Sequence, residues 1–197
     1  MKNATRGFTL LELMVTLAVA AVLFSVAVPN MQVFARNNRL TAASNDLLRS
    51  FHVARTEAIK RQQNVVVCAS ADPTAATPTC SYGEFTGWIV FQDTNGNWQS
   101  DDPAVEPVVQ RFGPLAATVS VRADNDGIES YGRAGFANPA AARTPTRNVV
   151  ICDDRGIADL AGSSTARALL VDATGRVRVT KDNGEVTTAS GAAGACP

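Results

Sequence analysis

Few residues in this 197-residue chain have the types and spacing that chemistry needs. The sharpest is a carboxylate in an apolar setting: Glu12 is the one ionisable residue among the 21 positions from Phe8 to Val28. A charge in such a run costs a few kcal/mol when it meets hydrocarbon, and it usually marks function. A buried carboxylate seeks a buried cation. The second group is cationic. Arg176, Arg178 and Lys181 stand within six residues, with Asp172 and Asp182 only at the flanks. Strand alternation sets Arg176 and Arg178 on one face about 7 Å apart, close to the spacing of adjacent phosphates on one strand. The plainer reading is that these cations solubilise a sheet edge.

The remaining candidates are weaker. Four cysteines, Cys68, Cys80, Cys152 and Cys196, lie beyond the apolar run, and an even count on the non-cytoplasmic side suggests disulfides. Three pairings are possible. Local closure favours Cys68 with Cys80 across a Pro/Thr-rich loop, and Cys152 with Cys196 tying down the tail. No Cys-x-x-Cys pair exists and His52 is the one histidine, which argues against zinc. Asp93-x-Asn95-x-Asn97, followed by Asp101 and Asp102, has the alternating oxygens of a calcium loop. Yet Trp98 stands where such a loop needs Gly, and the twelfth position is Ala104 rather than Glu, so a polar hairpin turn is expected. Asp153-Asp154 is an acidic pair without a partner acid or base, and no nucleophile motif or phosphate loop is present. The expectation is a protein with no catalytic residue, no metal and no cofactor: not an enzyme.

The elements that must position these residues can be read from periodicity. The run from Phe8 to Val28 is long enough to cross the ~30 Å hydrocarbon core of a bilayer as a helix, with Lys2 and Arg6 holding its start in the cytoplasm. Ala18, Ala20 and Ala21 offer a small-residue signal cleavage site, but the apolar run continues past them. After Pro29, helical spacing resumes with Val33, Leu40, Leu47, Phe51, Ala54 and Ala58 on one stripe, flanked by Leu48 and Ile59. The opposite, solvated face carries Arg36, Arg39, Arg49, Arg55, Lys60 and Arg61 against Asp46 and Glu57. One helix from about Phe8 to Ile59, roughly 75 Å long and kinked near Pro29, is the simplest account.

From Asn64 the pattern becomes that of strands: 65–68, 88–92, 108–112, 119–122, 149–152, 168–171 and 176–179, with weaker ones near Ile128–Tyr131 and Gly135–Phe136. Pro/Thr/Ala-rich loops cover 69–83 and 138–147. The fold class is therefore α+β, a long helix on antiparallel β-sheet, with segments 1–7, 8–28 (membrane helix), 29–61 (amphipathic helix) and 62–197 (β-rich domain). Formal charge is zero, and removing Lys2 and Arg6 from the 18 basic residues leaves 16 against 18 acidic ones. Any nucleic-acid binding must then be local.

Gly7-Phe8-Thr9-Leu10-Leu11-Glu12, behind a short basic leader and ahead of the apolar run, resembles the class III leader junction of type IV pilins and type II secretion pseudopilins. The resemblance implies that a prepilin peptidase of the inner membrane cuts between Gly7 and Phe8 and methylates the new amine of Phe8. Glu12 would be fifth in the mature chain, and a neighbouring subunit's Phe8 amine is its natural buried counter-ion. Trp88-Ile89-Val90-Phe91-Gln92-Asp93 before an Asn/Gly turn, Cys152-Asp153-Asp154-Arg155-Gly156 and Gly175-Arg176-Val177-Arg178 resemble the GspH/FimT family of minor pilins and pseudopilins. That implies a pilin fold, partners among major and minor pilins or pseudopilins, and a single-pass inner-membrane protein with a periplasmic domain, later in a pilus on the cell surface, at or near its tip. Within the family, the Gly-Arg-x-Arg signature resembles the segment with which FimT-type minor pilins bind double-stranded DNA in natural transformation, which points to Arg176, Arg178 and Lys181. Use in type II secretion, as a GspH-type pseudopilin, is the alternative. The tail from Asp182 to Pro197, with Cys196, is longer than that pattern and stands where it could cover the arginines.

Mass spectrometry of the mature protein is expected to place its N-terminus at a methylated Phe8. An N-terminus near Ala21, as signal peptidase would leave, would sink the pilin resemblance.

Overall fold

The computed structural model describes residues 8–81, 85–138 and 145–196, apart from the side chains of Asp126 and Ile128. Lys2, Arg6 and the junction residue Gly7 lie outside the described residues. The chain divides into two compact units, Met1–Asn38 and Arg39–Pro197.

The first unit is the leading part of helix α1 (Leu10–Arg61), which is a single hydrogen-bonded helix through Pro29. It is the one described helix long and apolar enough to cross a membrane. Thr9 starts it, its Oγ1 accepting from the Glu12 amide at 3.2 Å. Proline lacks the N–H that the preceding turn needs. Around that position side chains bond to the backbone instead: Ser25 donates to the carbonyl of Val22 and Asn30 to that of Val26.

The second unit begins with the rest of α1, whose buried residues Leu40, Ala43, Leu47, Phe51, Ala54 and Ala58 recur at three- and four-residue steps. Two antiparallel sheets receive that stripe. Sheet A comprises β1 (Asn64–Ser70), β2 (Gly87–Asp93), β3 (Val108–Phe112) and β5 (Ile128–Tyr131), in the order β3-β2-β1-β5. Sheet B comprises β4 (Ser120–Ala123), β6 (Asn148–Cys152), β7 (Asp159–Leu160), β8 (Ser163–Val171) and β9 (Val177–Asp182). Its order is β4-β6-β8-β7, with β9 paired to β8. Val65, Val67, Trp88 and Val90 from sheet A and Val149, Ile151, Leu169 and Val171 from sheet B meet the helix in one core. Trp88, fully buried, stacks on Phe112 at 4.2 Å between centroids and donates its indole N–H to Ser50 on α1 at 2.8 Å.

Each sheet is covered on its other face as well. On sheet A, Val66, Cys68, Ile89 and Phe91 lie against Trp98 and Cys80, whose loops arch over the strands. On sheet B, Val150, Cys152, Ala166 and Ala168 lie against helix α2 (Asn183–Ala193) through Val186, Ala189 and Ala193. One disulfide holds each cover: Cys68–Cys80, with Cα atoms 5.6 Å apart, and Cys152–Cys196, at 6.1 Å.

Three features differ from the sequence expectations. The weak strand near Gly135–Phe136 is a turn, because Gly135 takes φ +76 and the 132–136 segment closes on itself, Gly132 N donating to Phe136 O at 2.9 Å. Only Ala137 bridges to Tyr131. Val33, placed on the apolar stripe, is exposed. The tail after Lys181 forms α2, capped by Asp182, whose carboxylate accepts from the Glu185 amide at 3.0 Å.

One buried group opposes this arrangement. Glu129 on β5 is 1% exposed, and neither carboxylate oxygen has a hydrogen-bond partner among the described residues. Burial pushes its pKa from 4.5 up to about 8, aided by Asp124 and opposed by Arg147. The folded state therefore holds a proton that the unfolded chain releases near 4.5, and stability falls as pH rises from there through about 8. Glu129→Gln is expected to flatten that decline, leaving the variant more stable than the parent at pH 9 by several kcal/mol, at ~1.4 kcal/mol per pKa unit. Thermal unfolding of both proteins across pH 5 to 9 would check it; parallel profiles would show that Glu129 does not titrate in this range.

Candidate functional site

Elements distant in sequence bring four arginines to one cleft of about 680 Å³ at an end of sheet B. His52 and Arg55 come from α1, Arg147 and Asn148 from the start of β6, and Arg176, Val177 and Arg178 from the turn into β9. Leu170, Val171 and Asp172 complete the wall.

Local hydrogen bonding places Arg176 and Arg147. Asp172 Oδ1 accepts from Thr174 N (2.8 Å), Thr174 Oγ1 (2.6 Å) and Arg176 N (3.0 Å), folding 172–176 into an Asx-type turn. These donors, the Thr174 hydroxyl first, hold the Asp172 carboxyl below its usual range, so the turn keeps its acceptor charged. Gly175 has φ +77, and a Cβ there would lie 2.7 Å from Cε1 of Tyr131. Tyr131, fully buried, donates its hydroxyl to Gly175 O at 3.0 Å. The glycine before Arg176 is thus required by a ring packed beneath it. Arg147 is placed by Asp124, which accepts from Arg147 N and Asn148 N with Oδ1 and from Asn148 Nδ2 with Oδ2. Its guanidinium donates to Asp172 O at 2.7 Å, bridging β6 to the turn.

Arg176 and Arg178, read from sequence as a same-face pair, both line this cleft and both are exposed. Lys181 does not. It stands three residues beyond Arg178, on the other face of β9, and is not part of the cleft wall. Arg178 makes a two-pronged ion pair with Glu185 of α2, at 2.7 and 2.9 Å. Among the described residues, Arg55, Arg147 and Arg176 form no ion pair with a carboxylate. Arg55 stood in the sequence only as one cation of a solvated helix face, and Arg147 only as the end of a loop. Nothing local to either predicts a shared site, since strand order alone brings them together. The Asp182-x-x-Glu185 spacing is a helix-start signal that was there to be found.

The 93–106 segment is built differently from a cation loop. Asp93 and Glu106, both buried, turn their oxygens to backbone amides: Gly96, Asn97 and Trp98 for Asp93, and Thr94, Asn95 and Asp101 for Glu106. Burial, and then the nearby Glu106, raise the pKa of Asp93. Phe8 is exposed ahead of α1, and Glu12 lies in its first turn.

Residues 43–195 match the family described as type II transport protein GspH, and residues 2–28 match the prokaryotic N-terminal methylation motif. No curated protein matches. Two crystal structures of the type IV minor pilin FimU of Pseudomonas aeruginosa (strain PAO1) are similar. The P21 form is 18% identical over 77% of this chain and 94% of that one, with TM-score 0.47. The P65 form is 16% identical over 71% and 91%, with TM-score 0.45. With the family match running from α1 to the end of the tail helix, the chain belongs to the family described as type II transport protein GspH, and it carries the prokaryotic N-terminal methylation motif.

Proposed function

We propose that this protein is a minor subunit of a type IV pilus, cleaved after Gly7 and methylated at Phe8, whose cleft of Arg55, Arg147, Arg176 and Arg178 holds the phosphate backbone of double-stranded DNA. Assembly rests on the apolar part of α1 and on pairing of Glu12 with the Phe8 amine of a neighbouring subunit. The observation that carries the DNA reading is the convergence of four arginines on one cleft in a chain of zero formal charge. Such a site offers positive potential without base-reading geometry, so it suits positioning contacts to phosphates rather than sequence recognition. Uptake of DNA in natural transformation is the role this would serve. The description of the matched family favours a second reading, a pseudopilin of type II secretion, in which the same helix chemistry assembles a periplasmic pseudopilus.

Glu12→Ala is expected to leave membrane insertion intact, since it removes a charge from an apolar span, while incorporation into filaments falls. Unchanged incorporation, measured in sheared filament fractions, would remove the pairing role. For DNA, the detergent-solubilised full chain is expected to bind duplex with a dissociation constant of ~10⁻⁶ M at low salt, without sequence preference. Arg176→Gln and Arg55→Gln should each weaken binding and lower the salt slope by about one. Lys181→Gln should change neither, because that side chain is not part of the cleft wall. Absence of parent binding at low salt would leave the secretion reading standing.

A further inference from the structure

Resting on the DNA reading, a regulatory relation follows from what occupies Arg178. Besides the cleft, sheet B bears a second hollow of about 370 Å³, lined by Asn148, Leu170, Asp182, Gly184, Glu185, Thr188 and Ala189. The two hollows share Asn148 and Leu170. Arg178 lines one and Glu185 the other, so their ion pair lies at the boundary between them. The two carboxylate oxygens of Glu185 meet Nη1 and Nη2 of Arg178, the same fork with which an arginine takes two oxygens of a phosphate.

We propose that α2 is an autoinhibitory guard of the arginine cleft: Glu185 holds Arg178 in place of a phosphate, and DNA must displace it to engage the full site. The helix itself cannot leave easily. Its first turn is capped by Asp182 at the end of β9, and the chain beyond it is joined to β6 through Cys152–Cys196. Its inner face is buried in the sheet through Val186, Ala189 and Ala193. Displacement is therefore a movement of the Glu185 side chain, and the pair is built to permit it. Arg178 and Glu185 are 60% and 38% exposed, in the range where ion pairs are weak and screened by salt. The guard is not a pH device. The Arg178 guanidinium, with the Thr180 hydroxyl, brings the Glu185 pKa down to about 2, so its charge persists through neutral and mildly acidic pH. Its effect is to set a threshold: a lone anion competes poorly with a tethered carboxylate, whereas a polyanion already held by Arg55, Arg147 and Arg176 brings its next phosphate to Arg178 at high local concentration.

The test is anisotropy of a labelled duplex with the detergent-solubilised full chain, across a salt series. Glu185→Gln keeps the amide that donates to Asp182 and removes the charge. It is expected to bind about 2–5-fold tighter at low salt, the equivalent of one exposed ion pair, with a salt slope steeper by about one. In the Arg178→Gln background the same change should bring no gain. A gain that persists without Arg178 would be a general effect of net charge and would overturn the guard. So would Glu185→Gln binding no tighter than the parent while Arg176→Gln still weakens binding, a result that leaves the DNA reading intact. Binding by Glu185→Gln where the parent shows none supports the guard, and no binding by either protein overturns both readings.

Discussion

The second unit depends on one stripe of α1. Sheets A and B are hydrogen-bonded separately, and among the described residues no strand pairing joins them. What makes one core of two sheets is the row Leu40, Ala43, Leu47, Phe51, Ala54 and Ala58, against which both inner faces are buried. Ala43, Ala54 and Ala58, with Leu47 and Phe51, form the helix side of that core. Two polar contacts fix the registry of these layers. Trp88 of sheet A bonds to Ser50 on the helix, and Tyr131 of sheet A bonds to Gly175 in the turn that feeds sheet B. Buried N–H and O–H groups left unpaired cost ~1–3 kcal/mol each, so these two bonds select one packing among many of similar apolar area.

Placing the helix on the inner faces leaves the outer faces of both sheets to be covered. The solution is the same twice: a late or looping segment laid over the strands and tied by a disulfide. On sheet B that segment is α2, and its position has an electrostatic consequence because Glu185 reaches Arg178. The same helix thus completes a hydrophobic layer with Val186, Ala189 and Ala193 and alters the charge of the cleft with Glu185.

The cleft shows how cationic side chains come to lie on turns held by a rigid frame. Arg147 and Arg176 stand where strands begin, and each is aimed by an aspartate that binds backbone amides, Asp124 and Asp172. Arg55 comes from the helix that both sheets share. Cation positions are therefore set by core packing several residues away, which is why the glycine at 175 matters as much to the site as the arginine that follows it.

The sequence by itself determined the elements whose signals are local. The apolar run with Glu12, the three- and four-residue spacing of Leu40, Leu47, Phe51 and Ala54, and the β-branched runs of β1, β2 and β6 each state their own conformation. Those runs show little alternation because both faces of the strands are buried, so their sequence told of strands without telling which side met the helix. The shared cleft of Arg176 and Arg178 was legible for the same reason, being defined by neighbours in the chain. Tertiary structure alone decided the rest. Arg55 and Arg147 join Arg176 only because β6, β8 and β9 are neighbours under α1, and Lys181, farther along β9, stays outside the cleft wall. Gly135 turns instead of extending, at φ +76, with Ile59 and Arg55 packed where a Cβ would stand. The tail is a helix over Val150 and Ala168 because those residues needed a cover, and the encounter of Glu185 with Arg178 follows from that burial rather than from any spacing between them.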